Sequence, residues 1–159
     1  MQQGGLKYAV HAYAWTSSWS SRNLDILDRA KSLGLDTVEI PLMELEAVDT
    51  AAIRERAVKQ GLEVLASVAV DQDTDPTGES AAVRDRARYF LKRCVERTAE
   101  MGATVFTGVT YSAIGRRIDR RPGMEDFRRS AEVLEDVARY AAGLGFAVDI
   151  GPVTATRRS

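Results

Sequence analysis

GLDTVEI (residues 34–40), GLEVLAS (61–67), GATVFTG (102–108) and GFAVDIG (145–151) are four versions of one sequence pattern. Each begins with a glycine that follows a segment of helical spacing and continues into a run rich in β-branched residues. A glycine just past a helix can adopt the left-handed conformation that ends it, and β-branched residues favour a strand. The repetition of helix, glycine and strand therefore predicts βα units around a parallel sheet.

The sequence around these four stretches completes the predicted pattern. Ser21 or Asn23 is expected to cap the first helix, and Asp49 or Thr50 the second. One further strand is expected ahead of the first repeat, where aromatic and small apolar residues alternate. The five predicted strands cover residues 7–14, 37–41, 63–70, 104–110 and 146–150.

Two later helices are predicted, each with an apolar stripe expected to face the core. In the helix before GATVFTG, the stripe includes Leu91 and Cys94, so the only cysteine is expected to be a buried thiol. In the helix before GFAVDIG, the stripe consists of Phe127, Ala131, Leu134, Ala138, Ala141 and Leu144.

Composition limits the class of protein. The chain has 159 residues, about one domain, and 45% of them are hydrophobic, which is enough for a sizeable core. Its 22 basic and 23 acidic residues leave little net charge, which argues against nucleic acid or a membrane surface as a partner. A single cysteine excludes an internal disulfide and fits the reducing cytoplasm, where we expect the protein to reside.

Two α/β architectures fit the predicted order of elements. One is an open, doubly wound sheet, which can be complete with five strands. The other is part of a closed eight-stranded barrel, which normally needs about 250 residues. Periodicity alone leaves both open, but in either one the functional face lies at the carboxyl ends of the strands.

The first strand and the loop after it carry candidate site residues at that face. His11, the only histidine, could act as a general base or bind a sugar hydroxyl, or it could be a half-buried structural imidazole. Tyr13, Trp15 and Trp19 could form an apolar wall against a sugar ring or simply pack beneath the face. Glu39, in an otherwise apolar strand, is either a catalytic carboxylate or a structural hydrogen-bonding group.

Two charged loops follow the third and fourth strands. Asp71, Asp73 and Asp75 alternate as in a calcium loop, but the expected Gly and final Glu are missing, so a solvated loop is favoured. The loop after the fourth strand could hold a phosphate or an anionic substrate, or it could be solvated. Its basic residues are Arg116, Arg117, Arg120 and Arg121.

Four segments together carry a family resemblance: KYAVHAYAW (7–15), VEIPLM (38–43), YFLKRCV (89–95) and MGATVFTG (101–108). They resemble sugar isomerases and epimerases of the xylose-isomerase-like barrel type, among which the D-tagatose and D-psicose 3-epimerases are most similar. The resemblance runs over residues 7–153 and covers the first half of such an enzyme. The chain is therefore expected to form the first four to five strands of an incomplete TIM barrel.

The resemblance implies a chemistry for the full-length enzyme. A divalent metal (manganese, cobalt or magnesium) would coordinate two oxygens of a free ketose. Two glutamates would remove and return the C3 proton through an enediolate. By position in the family, the substrate-binding residues of this chain are His11, Trp19, Ser67 and Val109.

The resemblance breaks down after the fifth strand. The family continues as Glu-Pro-Val-Asn-Arg-Tyr-Glu, whereas this chain has Gly151 at the metal-binding Glu and Arg157 at the second Glu. The remaining ligands belong to later strands, so no catalytic residue or metal ligand is expected here, and the chain alone is expected to be inactive. Loss of one nucleotide after Val153 would turn Asn-Arg-Tyr-Glu-Thr into the observed Thr-Ala-Thr-Arg-Arg, which suggests that residues 154–159 are an out-of-frame tail.

Two other functions stay open at this point. The chain could be a non-catalytic half-barrel that serves as a binding or assembly module. It could also belong to a related inosose dehydratase or hydroxypyruvate isomerase. As a half-barrel, the chain would expose the unpaired edges of its first and last strands and apolar side chains of its inner faces. We therefore expect it to self-associate.

Overall fold

Strands and helices alternate along the chain, as the four repeated stretches predict. The structure is a computed structural model that describes residues 6–103, 105–116 and 118–151. Within these residues, the strands are β1 (Ala9–His11), β2 (Thr37–Pro41), β3 (Glu63–Ala69), β4 (Val105–Val109) and β5 (Ala147–Val148). The α-helices there are α1 (Asp25–Ser32), α2 (Thr50–Gln60), α3 (Ala81–Glu100) and α4 (Met124–Gly143).

Three expectations concern residues outside this description. They are Thr104 as the first residue of the fourth strand, Arg117 in the basic loop, and the out-of-frame tail at residues 154–159. None of the helices that the structure describes combines the length and the apolarity that a membrane span requires.

The glycines of the repeated stretches end the helices as predicted. Their φ angles are positive: 76° at Gly34, 62° at Gly61, 73° at Gly102 and 86° at Gly145. In this left-handed region a side chain would be strained, so glycine lets the chain leave each helix and enter the next strand.

The predicted helix caps are confirmed at α2 and corrected at α1. An Asp49 side-chain oxygen accepts a hydrogen bond of 3.0 Å from the Ala52 amide, as an N-cap residue does. Ser21 and Asn23 instead lie in a 3₁₀ turn, and α1 begins two residues later at Asp25.

The chain divides into two compact units. Unit 1 comprises Met1–Ser67 with Glu96–Thr104. In it, β1, β2 and the part of β3 up to Ser67 run parallel, and strand order follows chain order. The β-strand residues with no exposed surface in this unit include Val38, Ile40 and Ala66. Successive residues of β2 are buried, and only Glu39 is partly exposed, which is typical of a strand covered on both faces.

Unit 2 comprises Val68–Val95 with Val105–Ser159. In it, β4 and β5 pair in parallel, and the Val70 amide at the end of β3 donates a 3.1 Å hydrogen bond to the Val109 carbonyl of β4. Cys94 is buried, as predicted, and burial raises the pKa of its thiol. The other fully buried residues include Leu91, Phe106, Val133 and Val137.

Two predicted strands are shorter than expected. β1 ends at His11 rather than at residue 14 because the His11 side chain accepts a hydrogen bond from the Tyr13 amide and starts the 3₁₀ turn Ala12–Ala14. β5 is confined to two residues, although the Gly151 amide still donates to the Gly108 carbonyl at 3.1 Å.

The predicted inward face of α4 is wrong. Phe127 is 62% exposed, and of the predicted stripe only Ala141 is fully buried. The buried row instead contains Ser130, Val133 and Val137. The helix has apolar residues on two faces, and its periodicity does not indicate which face meets the strands.

Candidate functional site

The register of unit 1 brings polar side chains together at the carboxyl ends of three parallel strands. β1 and β2 pair His11 with Glu39, and β2 and β3 pair Pro41 with Ser67. In a parallel α/β sheet this edge is where ligands bind. We refer to His11, Glu39 and Ser67 as the strand-end cluster.

His11 is held by hydrogen bonds at both ring nitrogens. Its Nδ1 accepts from the Tyr13 amide at 3.0 Å, and its Nε2 lies 3.3 Å from the Ser67 hydroxyl oxygen. The Tyr13 ring lies beside the imidazole, with 4.6 Å between ring centroids. Because Nδ1 accepts from a backbone N–H, the geometry assigns the proton of the neutral imidazole to Nε2.

Glu39 approaches the same imidazole nitrogen without a direct hydrogen bond. Its Oε1 lies 3.7 Å from His11 Nε2, which is beyond hydrogen-bond distance. The Glu39 side chain is 27% exposed and that of His11 is 34% exposed, so a ligand in solution can reach both. Ser67 is buried beside them.

The predicted aromatic wall divides into three different environments. Trp19 is buried, and within the described part of the chain its indole N–H has no hydrogen-bond partner. Trp15 lies beneath the Arg29 guanidinium, 5.3 Å from the ring centroid. Tyr13 is exposed enough to meet solvent, although partial burial, with a smaller effect of Glu44, raises the pKa of its phenol.

Val109 belongs to unit 2. It is half-buried in β4, where its carbonyl accepts the hydrogen bond from Val70. The neighbouring Gly108 has φ 124°, and a Cβ there would lie 2.1 Å from the Val68 carbonyl oxygen. The two strands therefore approach so closely at this point that only glycine fits.

The two charged loops contact each other through hydrogen bonds and an ion pair at Asp75. Asp75 is buried, not solvated as expected, and accepts hydrogen bonds from the Thr77 amide and hydroxyl and from the Ala113 amide. Arg116 forms an ion pair with Asp75 at 3.1 Å.

Two further residues of these loops have structural partners. Arg120 forms hydrogen bonds with Asp126, which is buried at the start of α4. Asp71 caps the short turn Gln72–Thr74. In the described parts of these loops, Arg116 and Arg120 pair with Asp75 and Asp126, and no group of carboxylates is placed to hold a metal ion.

The side chains present do not fit a resident divalent metal. Among the described residues, no group of three or more His, Cys, Asp or Glu side chains is placed to hold a metal ion. A Cβ at Gly151 would make ordinary contacts at 3.5–3.6 Å with Thr107 and Gly108. This position therefore has space for a larger residue, but the chain places no ligand there.

Unit 2 contains a cavity that the sequence did not indicate. It has a volume of about 580 Å³ and lies between α4 and the loop after β4. Its walls are mostly apolar and include Tyr111, Ala113, Ile118, Phe127, Leu134 and Ile150. Phe127, Ala131 and Leu134 on its wall belong to the apolar stripe of α4 that the periodicity predicts to face the core.

Comparison with known proteins decides between the two architectures. A family model described as a xylose isomerase-like TIM barrel matches residues 27–153. The chain belongs to this family. Its parallel strands and helices are therefore βα units of a TIM barrel, not an open doubly wound sheet.

The relatives of this TIM-barrel chain are sugar epimerases. It is 29% identical over 146 residues to a ketose 3-epimerase of Arthrobacter globiformis, covering 91% of the chain and 50% of the relative. It is 22% identical to a D-psicose 3-epimerase of Agrobacterium fabrum, covering 88% and 50%. A D-allulose 3-epimerase from a Methylomonas species, solved in complex with D-allulose, superposes with a TM-score of 0.85 at 25% identity, covering 91% and 50%. The chain thus spans about half the length of the curated relatives it matches.

Proposed function

We propose that this chain carries the ketose-binding strand ends of a sugar epimerase of the ketose 3-epimerase type. Family membership and the names of the relatives support the reaction class. The observation that carries the proposal is the strand-end cluster, where an imidazole N–H and a hydroxyl face the carboxyl ends of β1 to β3. Hydroxyl-rich ligands are recognised by such a combination of donors and acceptors.

In this proposal three of the predicted site residues have a physical role. His11 donates a hydrogen bond from Nε2, and the Ser67 hydroxyl can accept or donate. Trp19, whose indole N–H has no partner among the described residues, donates to a sugar oxygen directly or through water. Val109, in unit 2, stays a predicted substrate-binding residue on the family resemblance alone.

The epimerisation itself requires groups that the described residues do not supply. Inversion at C3 of a free ketose needs a base on one face of the carbon and an acid on the other, with a stabilised enediolate between them. A divalent metal would supply that stabilisation in the complete site, and the described side chains offer no ligand set for it. We therefore propose that this chain alone binds ketoses without converting them.

Binding and turnover can be measured separately on the chain as it stands. We expect calorimetric or NMR titration with D-psicose to show weak, saturable binding, and Ser67→Ala to weaken it several-fold because one hydrogen bond is lost. Ser32→Ala is the matched control, because the Ser32 hydroxyl bonds within its own helix. Absence of saturable ketose binding in the wild-type chain would overturn the sugar-binding proposal.

The second measurement follows conversion of D-psicose to its C3 epimer, D-fructose, with manganese added. We expect no conversion above a protein-free control and no stoichiometric manganese uptake. Turnover by the purified chain would contradict the proposal of inactivity and leave the ketose-binding proposal standing.

A further inference from the structure

Glu39 is a carboxylate that receives no hydrogen bond from the residues that the structure describes. It lies in β2 between Val38 and Ile40, both of which are fully buried. Within the part of the chain that the structure describes, its ion-pair partner is the His11 imidazole, with Nε2 3.7 Å from Glu39 Oε1. A charged group within an apolar strand lowers the stability of the fold unless hydrogen bonds or water satisfy its oxygens. Its 27% exposure leaves that place to water or to a ligand.

The imidazole opposite Glu39 presents a donor, not an acceptor. Because His11 Nδ1 accepts from the Tyr13 amide, the proton lies on Nε2. The Ser67 oxygen at 3.3 Å is one acceptor for it, at the long end of the hydrogen-bond range. A ligand group that lies beside both Nε2 and Glu39 Oε1 therefore meets an N–H donor from the imidazole and an acceptor from the carboxylate.

We propose that Glu39 is a further ligand-binding residue and that it holds one hydroxyl group of the ketose together with His11. The hydroxyl oxygen takes over the His11 Nε2–H donor from the Ser67 oxygen, which lies at the long distance of 3.3 Å, and the hydroxyl proton is donated to Glu39 Oε1. This inference rests on the proposed function and names the chemical group that its site recognises. The roles proposed above for His11, Trp19 and Ser67 do not explain why a carboxylate lies at this position of β2.

The pair selects the hydroxyl group by its chemistry. A carbonyl oxygen can accept from His11 but has no proton for Glu39, and a carboxylate would be repelled by it. An ammonium group can donate to Glu39 but cannot accept from Nε2–H. A hydroxyl is both donor and acceptor, which is the combination that this pair of side chains requires.

The single histidine makes a direct measurement possible. When the chain is labelled with ¹⁵N in the imidazole ring of histidine, both ring-nitrogen signals come from His11. While the imidazole ring is neutral, we expect Nε2 to be protonated and Nδ1 to be unprotonated. We expect D-psicose to shift the Nε2 signal in a saturable way, and the titration yields the dissociation constant of the wild-type chain.

Glu39→Gln and Glu55→Gln form the matched pair of variants. Each removes one negative charge from a glutamate of unit 1, but Glu55 is on the exposed surface of α2, away from the strand ends. We expect Glu39→Gln to raise the D-psicose dissociation constant by about tenfold, as loss of a hydrogen bond to a charged group does, and Glu55→Gln to leave it unchanged. Glu39→Asp, which keeps the charge but withdraws the oxygens, should bind with intermediate strength, and the amide spectra of all variants report whether they are folded.

A set of monodeoxy analogues of D-psicose identifies the hydroxyl. One analogue should bind the wild-type chain about tenfold more weakly than D-psicose does. The Glu39→Gln variant should bind this analogue with the same dissociation constant as the wild-type chain, because the missing hydroxyl and the carboxylate act as one pair. If Glu39→Gln binds D-psicose as tightly as wild type while the wild-type titration saturates, the role of Glu39 is wrong and the proposed function stands. If wild-type His11 does not respond to D-psicose at all, both are wrong.

Discussion

At the scale of single residues, Asp126 shows how a carboxylate can be buried at the start of a helix. Its oxygens accept hydrogen bonds from the Gly123 amide at 2.8 Å and from Arg120 and Arg129 at 2.8 and 3.0 Å. The hydrogen bond from Arg120, followed by that from the Gly123 amide, holds the pKa of Asp126 well below its usual range. A carboxylate at a helix N-terminus also interacts favourably with the helix dipole.

We expect Asp126→Asn to lower the melting temperature at neutral pH by roughly 2–4 °C, about the effect of losing a helix cap in a chain of this size. Because the pKa of Asp126 is lower in the folded chain than in the unfolded one, its stabilisation is complete above the unfolded value of about 4 and is lost as the pH falls below it. The wild-type melting temperature should therefore fall more steeply on acidification than that of Asp126→Asn. Asp85→Asn, at an exposed position of α3, is the control, and parallel pH profiles for wild type and Asp126→Asn would contradict the expectation.

The sequence predicted where single residues lie along the strands better than it predicted which residues they contact. The placement of His11 and Ser67 at strand ends followed from the βα pattern, and the structure brings the two within 3.3 Å. That Glu39 faces the same nitrogen depends on the register of β1 with β2, which no local pattern encodes. The burial of Asp75 depends in the same way on a loop that lies 38 residues further along the chain.

At the scale of secondary-structure elements, the close approach of two backbones at Gly108 can be tested directly. A Cβ at this position would lie 2.1 Å from the Val68 carbonyl oxygen and 2.8 Å from the Val68 nitrogen, and neither backbone atom can move aside. We expect Gly108→Ala to cost at least roughly 3 kcal/mol of unfolding free energy, measured by urea denaturation.

Gly115→Ala is the matched control for this substitution. Gly115 also has a positive φ, 74°, but nothing lies within 4 Å of the added Cβ. Its substitution should cost only the strain of a left-handed alanine, about 1 kcal/mol. Equal losses of stability in the two variants would show that backbone strain, not the contact with β3, requires glycine at residue 108.

The order of the elements was predictable because its signals are local. A glycine after a helix and a β-branched run after the glycine are both adjacent in sequence, and in all four repeated stretches a glycine of positive φ precedes a strand, although β5 is shorter than predicted. The inward face of α4 was not predictable in this way. Both of its faces carry apolar residues, and only packing against the strands selects the row of Val133 and Val137 for burial.

At the scale of the whole molecule, the second apolar face of α4 has a consequence for assembly. Met124 is 82% exposed and Phe127 is 62% exposed, and Phe127 also borders the 580 Å³ cavity of unit 2. Exposed apolar side chains that adjoin an apolar cavity are typical of surfaces that bind another protein surface. We therefore expect this face to mediate association between copies of the chain.

Phe127→Ser should weaken that association by about tenfold or more, because burial of a phenylalanine side chain contributes about 1.5–3 kcal/mol. Arg128→Ser, one residue along the same helix and also exposed, is the control and should leave the association constant nearly unchanged. Sedimentation velocity over a range of protein concentrations measures both.

Since Phe127 is exposed in the single chain, its replacement should barely change the melting temperature at low concentration, which separates a role in assembly from a role in folding. A wild-type chain that sediments as a monomer over the whole range would contradict the expectation, and equal weakening by the two substitutions would place the contact on charge rather than on the apolar face.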